Sequence, residues 1–222
     1  MPRDFYPPTP PSGLLRSHER AALLRLKSPA DIQDFLNRII IANHEIGGET
    51  VLSVQEVLRQ RRAHCIEGAF LAAFAFWLRG EPPLVMHLDC DPVDYPHVIA
   101  LFRRGGSWGA ISKTNGPRLR YRDPVYRTLR ELALSYFHEY TDKRGNKTLR
   151  SYSGAFDLRR LDPKLWVDGG EQCWQAHDRL VALRHYPLVT SRQLRALARM
   201  DPFDLRASKA LEHPPPKKAK RR

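Results

Sequence analysis

Residues 64–80, HCIEGAFLAAFAFWLRG, decide the fold. From Ala69 to Leu78 the chain is unbroken apolar sequence, about half the length that a membrane span requires. A helix that is apolar all round must be buried on every side, so this segment predicts the central helix of a globular domain. Gly68, Ala69, Ala72, Ala73 and Ala75 let neighbouring elements approach it closely, and Gly80 with Pro82-Pro83 ends it. Cys65 falls in its first turn, after the polar Arg61, Arg62 and His64.

Upstream, Ser28 is a helix cap, Pro29 suits the first helical position and Asp31 favours the dipole of the first turn. Ile32, Phe35, Leu36, Ile39 and Ile40 then follow at helical spacing up to Gly47-Gly48, and Ser53-x-x-Glu56 has the form of a capping box for a short helix. Downstream, the period changes. Leu84–Leu88, His97–Phe102 and Trp108–Ser112 read as strands, separated by the acidic turn Asp89–Pro96 and the glycine turn Arg103–Ser107. Asp123-Pro124 is the predicted cap of a further helix carrying Val125, Leu129, Leu132, Ala133, Tyr136, Phe137 and Tyr140. Helices packed on hairpin-connected strands define an α+β fold, a buried central helix against an antiparallel sheet. The expected organisation is a largely flexible arm over 1–27, a core domain over 28–152, a helical extension over 153–205 and a basic disordered tail over 206–222.

The 222 residues carry 37 Lys+Arg against 24 Asp+Glu, a formal charge of +13, with 42% hydrophobic residues. That composition belongs to an ordinary globular protein and excludes a largely disordered chain. The early residues are Pro-rich with no apolar leader, and no segment is long enough for membrane insertion. Cys65, Cys90 and Cys173 are an odd, scattered set without a CxxC pair, which argues against disulfides and zinc and for a reducing, cytoplasmic setting; no cofactor or metal is expected. Five positive charges lie in the last six residues, and 98–160 holds fourteen Lys/Arg against five Asp/Glu. A basic surface attracts an acidic protein or a nucleic acid, but these charges alternate with apolar residues as the wet faces of helices and strands do.

Cys65 is the candidate nucleophile. A thiolate at a helix start is stabilised by unpaired backbone N–H groups and the positive dipole end, and those N–H groups also suit an oxyanion. Such a thiol needs a base. His64 is adjacent, but neighbouring helical residues point about 100° apart. His87 and His97 lie on strands, and His97, which opens its strand after the acidic turn, is the better candidate. The orienting partner follows from the hairpin: a turn centred on Arg104-Gly105 sets Ser112 opposite His97, and one centred on Gly105-Gly106 sets Thr114 there. Asn115 has the wrong parity unless a bulge at Lys113-Thr114 turns it, yet its amide is the better acceptor for an imidazole N–H. Asn115 is therefore the expected orienter and Ser112 the alternative. Asp89, Asp91 and Asp94 are nearby carboxylates that read as turn residues.

RRAHCIEGAFLAAFAFWLRG followed by HVIALFRRGGSWGAISKTN, a cysteine at a buried helix start and a histidine at the start of a strand that precedes a Trp-bearing one, resembles the transglutaminase-like superfamily of papain-type cysteine enzymes. It is similar to uncharacterised bacterial members, from about Ser28 to Tyr152. The resemblance implies a Cys-His-Asp triad on a transglutaminase/papain-like core, with Cys65 and His97 as the first two members. The family's Trp-x-x-x-Asp step falls on Ser112, four residues after Trp108. The implied activity is acyl transfer on a peptide or protein amide. Two other classes fit the same residues: an inactive member of this fold that binds an acidic partner, and a nucleic-acid-associated protein attached through its basic tail.

Overall fold

The structure, a computed structural model, describes residues 6–11, 13–46 and 48–215. In chain order the elements are α1 (Ser17–Leu24), α2 (Pro29–Arg38), β1 (Ile41–Ala42), α3 (Val54–Gln60), β2 (Arg62–Ala63), α4 (Cys65–Trp77), β3 (Leu84–Cys90), β4 (His97–Arg104), β5 (Ser107–Ile111), β6 (Arg122–Tyr126), α5 (Leu129–Ser135), β7 (Leu149–Ser153), β8 (Phe156–Asp157), α6 (Trp174–Val181), β9 (His185–Pro187), α7 (Ser191–Arg195) and α8 (Pro202–Ala207).

The fold is α+β. An antiparallel sheet runs in the order β6-β5-β4-β3-β7-β9, with β8 also pairing with β3. β4 explains the unbroken apolar reading of its sequence, because both of its faces are covered. Val98, Ala100 and Phe102 pack into the cluster around α4, while Ile99 and Leu101 pack into a second cluster with Leu132, Ala133 and Tyr136. Every residue of α4 from Ile66 to Trp77 is buried, as a helix apolar all round requires. Gly68 lets the chain at Lys113 run against α4, where a Cβ would come within 2.5 Å of the Lys113 Cβ. The turn between β4 and β5 is centred on Gly105-Gly106, which take φ values of 56° and 83° that suit glycine.

Four expectations need correction. The described residues of 1–27, from which 1–5 and 12 are excluded, are not a loose arm: α1 lies there, Leu15 and Leu23 are buried in the core around α4, and the Trp77 Nε1–H donates to the Pro7 carbonyl at 2.9 Å. Asp123-Pro124 does not cap a helix. It lies in β6 at the sheet edge, where a residue without an N–H costs no ladder bond, and Thr128 caps α5 instead by accepting from Glu131 N–H. Val125 accordingly points to solvent. The segment 153–205 is no appendage: β8 and β9 complete the sheet, and Trp166 stacks on Trp77 with ring centroids 5.8 Å apart. Its prolines divide it into short pieces, and the apolar residues of those pieces close the core. The described part of 206–222 is likewise attached, since Glu212 N–H donates to Asn115 O at 2.9 Å; the basic residues 217–222 lie outside the described residues. Among the described residues, no helix is long and apolar enough to cross a membrane.

Candidate active site

Cys65 is the first residue of α4, so its N–H and those of the first turn have no acceptor within the helix. The helix start is fastened by Glu67, whose side chain is fully buried. Its carboxylate accepts from Leu52 N–H at 2.9 Å, Thr50 Oγ1 at 2.8 Å, Asn43 Nδ2 at 3.2 Å and His64 N–H at 2.9 Å. Those bonds offset the cost of burying the charge. Sequence reasoning passed over Glu67, although a lone acid at the third position of an apolar helix is itself the signal.

Two imidazoles, His97 and His64, act on the thiol and favour its charged form. Burial works against the thiolate, but the two rings together hold the Cys65 pKa well below its usual value. His64 was expected to point away. It is the N-cap, with extended φ and ψ of −101° and −165°, so the 100° spacing of helical neighbours does not govern it. Its Nε2–H donates to Thr50 O at 2.8 Å, with Glu45 Oε1 3.2 Å and Glu67 Oε1 3.4 Å away. Burial opposes its charge, yet Cys65 and then Glu67 hold its pKa up at about 10.

His97 is buried and its Nε2 is 2.7 Å from Ser112 Oγ. The direction of that bond follows from the next one. Ser112 Oγ also bonds Leu119 O, and a carbonyl can only accept, so the hydroxyl proton goes to Leu119. Ser112 Oγ is then the acceptor for His97 Nε2–H, and Nδ1 is the ring nitrogen free to exchange a proton with the thiol. The pairing Ala100↔Ile111, extended along the strands, puts Thr114 level with His97, but β5 ends at Ile111 and Ser112 reaches the ring diagonally. Ser112 leaves the ladder because Gln33 takes its backbone: Gln33 Oε1 accepts from Ser112 N–H at 3.0 Å and Gln33 Nε2 donates to Ser112 O at 2.9 Å.

Asn115 does not orient His97. Its Nδ2 donates to His213 O and its Oδ1 accepts from His213 N–H, both at 2.8 Å, so the amide latches the C-terminal segment instead. The bulge that would have turned it inward is replaced by Lys113, whose ammonium is buried against the Leu36 and Ile40 carbonyls at the end of α2. Burial lowers the Lys113 pKa to about 8. His87 lines the wall of a cavity at Cys65 but is paired elsewhere: its Nδ1 is 2.8 Å from His185 Nε2, and burial followed by that neighbour lowers its pKa to about 4. Asp89, Asp91 and Asp94 have local partners, in Ser151 Oγ at 3.1 Å, Arg150 Nη2 at 3.0 Å and Tyr95 N–H at 2.9 Å respectively. Burial pushes the Cys90 and Cys173 thiols up to about 12 each.

Two cavities meet at the thiol, sharing His64, Cys65, Tyr95 and Pro96. One, about 340 Å³, is the more polar of the two and reaches Asp94, His97, Arg118 and Thr141. The other, about 490 Å³, is more apolar, with Ile66, Val98, Trp174, Leu180 and Val181 in its wall. The groups in place suit attack by sulfur on an electrophilic carbon, with an imidazole in the same cavity and N–H donors at the start of α4. Among the described residues, no group of three or more His, Cys, Asp or Glu side chains is arranged to hold a metal ion. Compared with protein-family models and with curated proteins, the chain matches none.

Proposed function

We propose that the protein is a cysteine-dependent acyl-transfer enzyme acting on a peptide-like amide, on a core of the transglutaminase/papain type. The observation that carries this reading is the His97 Nε2 to Ser112 Oγ bond, which leaves His97 Nδ1 unoccupied, together with a thiol whose charged form His97 and His64 favour. Cys65 passes its proton to His97 Nδ1 and its sulfur attacks the carbonyl carbon. The tetrahedral adduct expels the amine as His97 returns the proton, leaving a thioester for water or a second amine to open. His64, flanked by Glu45 and Glu67, supplies positive charge beside the sulfur. A substrate lying across the thiol would place one side in the polar cavity and an apolar group against Trp174 and Leu180.

The basic stretch 98–160 gives less support to a reading as an anion-binding surface. Arg104, Arg122 and Arg150 are paired with Glu81, Glu139 and Asp91, and Arg120 with Glu212. The acyl-transfer reading is tested by treating the native protein with limiting iodoacetamide and mapping the adduct by mass spectrometry. Cys65 is the expected site; preferential labelling of Cys90 or Cys173 refutes the proposal.

A further inference from the structure

Tyr140 is a buried polar group for which the steps above have no use. It lies between α5 and β7, and its side chain is 2% exposed. Its hydroxyl is enclosed by protein and has no hydrogen-bond partner. Buried hydroxyls are rarely left so, and one beside a candidate site calls for a functional explanation. The side chain lines the polar cavity together with Cys65 and His97. Among charged groups, Cys65 bears most strongly on it: burial first, and then the negative sulfur, push the phenol well above its usual pKa. The hydroxyl therefore keeps its proton and is a donor at every working pH.

We propose that the Tyr140 hydroxyl donates a hydrogen bond to the oxyanion formed when Cys65 attacks a substrate carbonyl, as second donor beside the Cys65 backbone N–H. The inference rests on the acyl-transfer reading and adds a catalytic residue to it. As the sulfur–carbon bond forms, the carbonyl π pair moves onto oxygen, and that oxygen accepts from Tyr140 and from the helix start. When the adduct collapses, the pair returns, the bond to the leaving group breaks, and Tyr140 retains its proton throughout. A neutral donor held in place by the fold needs no reorganisation as charge develops.

The test compares two reactions of one thiol. p-Nitrophenyl acetate acylates Cys65 through an oxyanion and is followed by release of p-nitrophenolate. Iodoacetamide alkylates the same sulfur by displacing iodide, with no oxyanion. Tyr140→Phe keeps the ring and removes only an unpaired hydroxyl, so the variant folds. Acylation is expected to slow about a hundredfold, the usual cost of losing one such donor, with alkylation unchanged. Acylation unchanged, or both reactions slowed alike as a purely structural role would have it, overturns the assignment of Tyr140 alone. Cys65 of the unaltered protein reacting with both reagents no faster than free cysteine overturns the acyl-transfer reading and this inference with it.

Discussion

Replacing Ser112 with alanine removes the acceptor of the His97 Nε2–H and the donor to Leu119 O, at a point where Ser112 is 1% and His97 5% exposed. Water cannot readily substitute there, and each unmet group costs roughly 1–3 kcal/mol. If the cost of the unpaired imidazole N–H is felt in the transition state, acylation by p-nitrophenyl acetate slows by about 5- to 160-fold. The stability loss, read from the denaturant midpoint, is of similar size in energy. Asn115→Ala is the control: its side chain serves the His213 backbone, so the acylation rate stays within about twofold, well inside the smallest change that loss of a hydrogen bond produces. Ser112→Asp restores the residue type of the family that the sequence resembles, yet it sets a carboxylate against the Leu119 carbonyl with no proton to donate. It is expected to acylate no faster than Ser112→Ala. An Asn115→Ala variant as slow as Ser112→Ala, or a Ser112→Ala variant as fast as the unaltered protein, refutes the assignment of Ser112.

Gln33→Ala leaves the Ser112 N–H and C=O unpaired in a buried place, costing roughly 1–3 kcal/mol for each group; a chemical denaturation curve checks this, and acylation falls as Ser112 shifts. Because the Cys65 pKa lies below its usual value, alkylation at Cys65 titrates at lower pH than that of free cysteine, and a rate at Cys65 that follows pH as free cysteine does contradicts the thiolate. His64 has a folded pKa raised to about 10 from 6.5, so the stability tied to its proton is fully present below pH 6.5 and is lost as the pH rises towards 10. The difference in unfolding free energy between the unaltered protein and His64→Gln therefore shrinks over that window, and a difference that grows with pH runs against the assignment.

What the sequence made legible was whatever a local pattern encodes. Ser28, Pro29 and Asp31 cap α2, Ser53 caps α3, and the apolar run of α4 is buried, because capping and full burial are written in adjacent residues. The strand pair carrying His97 was likewise visible in its period and its glycines. Pro124 misled because the same residue suits a helix start and an edge strand, and only the neighbouring strand decides between them. Ser112 was in view as an alternative, but the choice of it over Asn115 as the partner of His97 was beyond local reading. It depends on Gln33, 79 residues away, which takes the Ser112 backbone out of the ladder, and on Leu119, whose carbonyl determines where the serine proton goes. Chemistry favoured Asn115 as a better acceptor, but a side chain's capacity to accept matters only where the chain delivers it.

The same two bonds explain why a serine suits this place. An orienting carboxylate contributes both an acceptor and a negative charge. Here the acceptor and the charge are held by different residues. Ser112 supplies the acceptor behind His97, fixing the tautomer without charge, while Glu45 and Glu67 stand behind His64, 3.2 Å and 3.4 Å from its Nε2. The cationic form of His64 is thus favoured next to the thiol, and His97 is left as the ring whose Nδ1 can take up and return a proton. The two imidazoles thus differ in their partners as well as in their place along the chain. The neutral Ser112 therefore does not leave the site without a carboxylate, because Glu67, buried in the first turn of α4, lies within the same group of side chains.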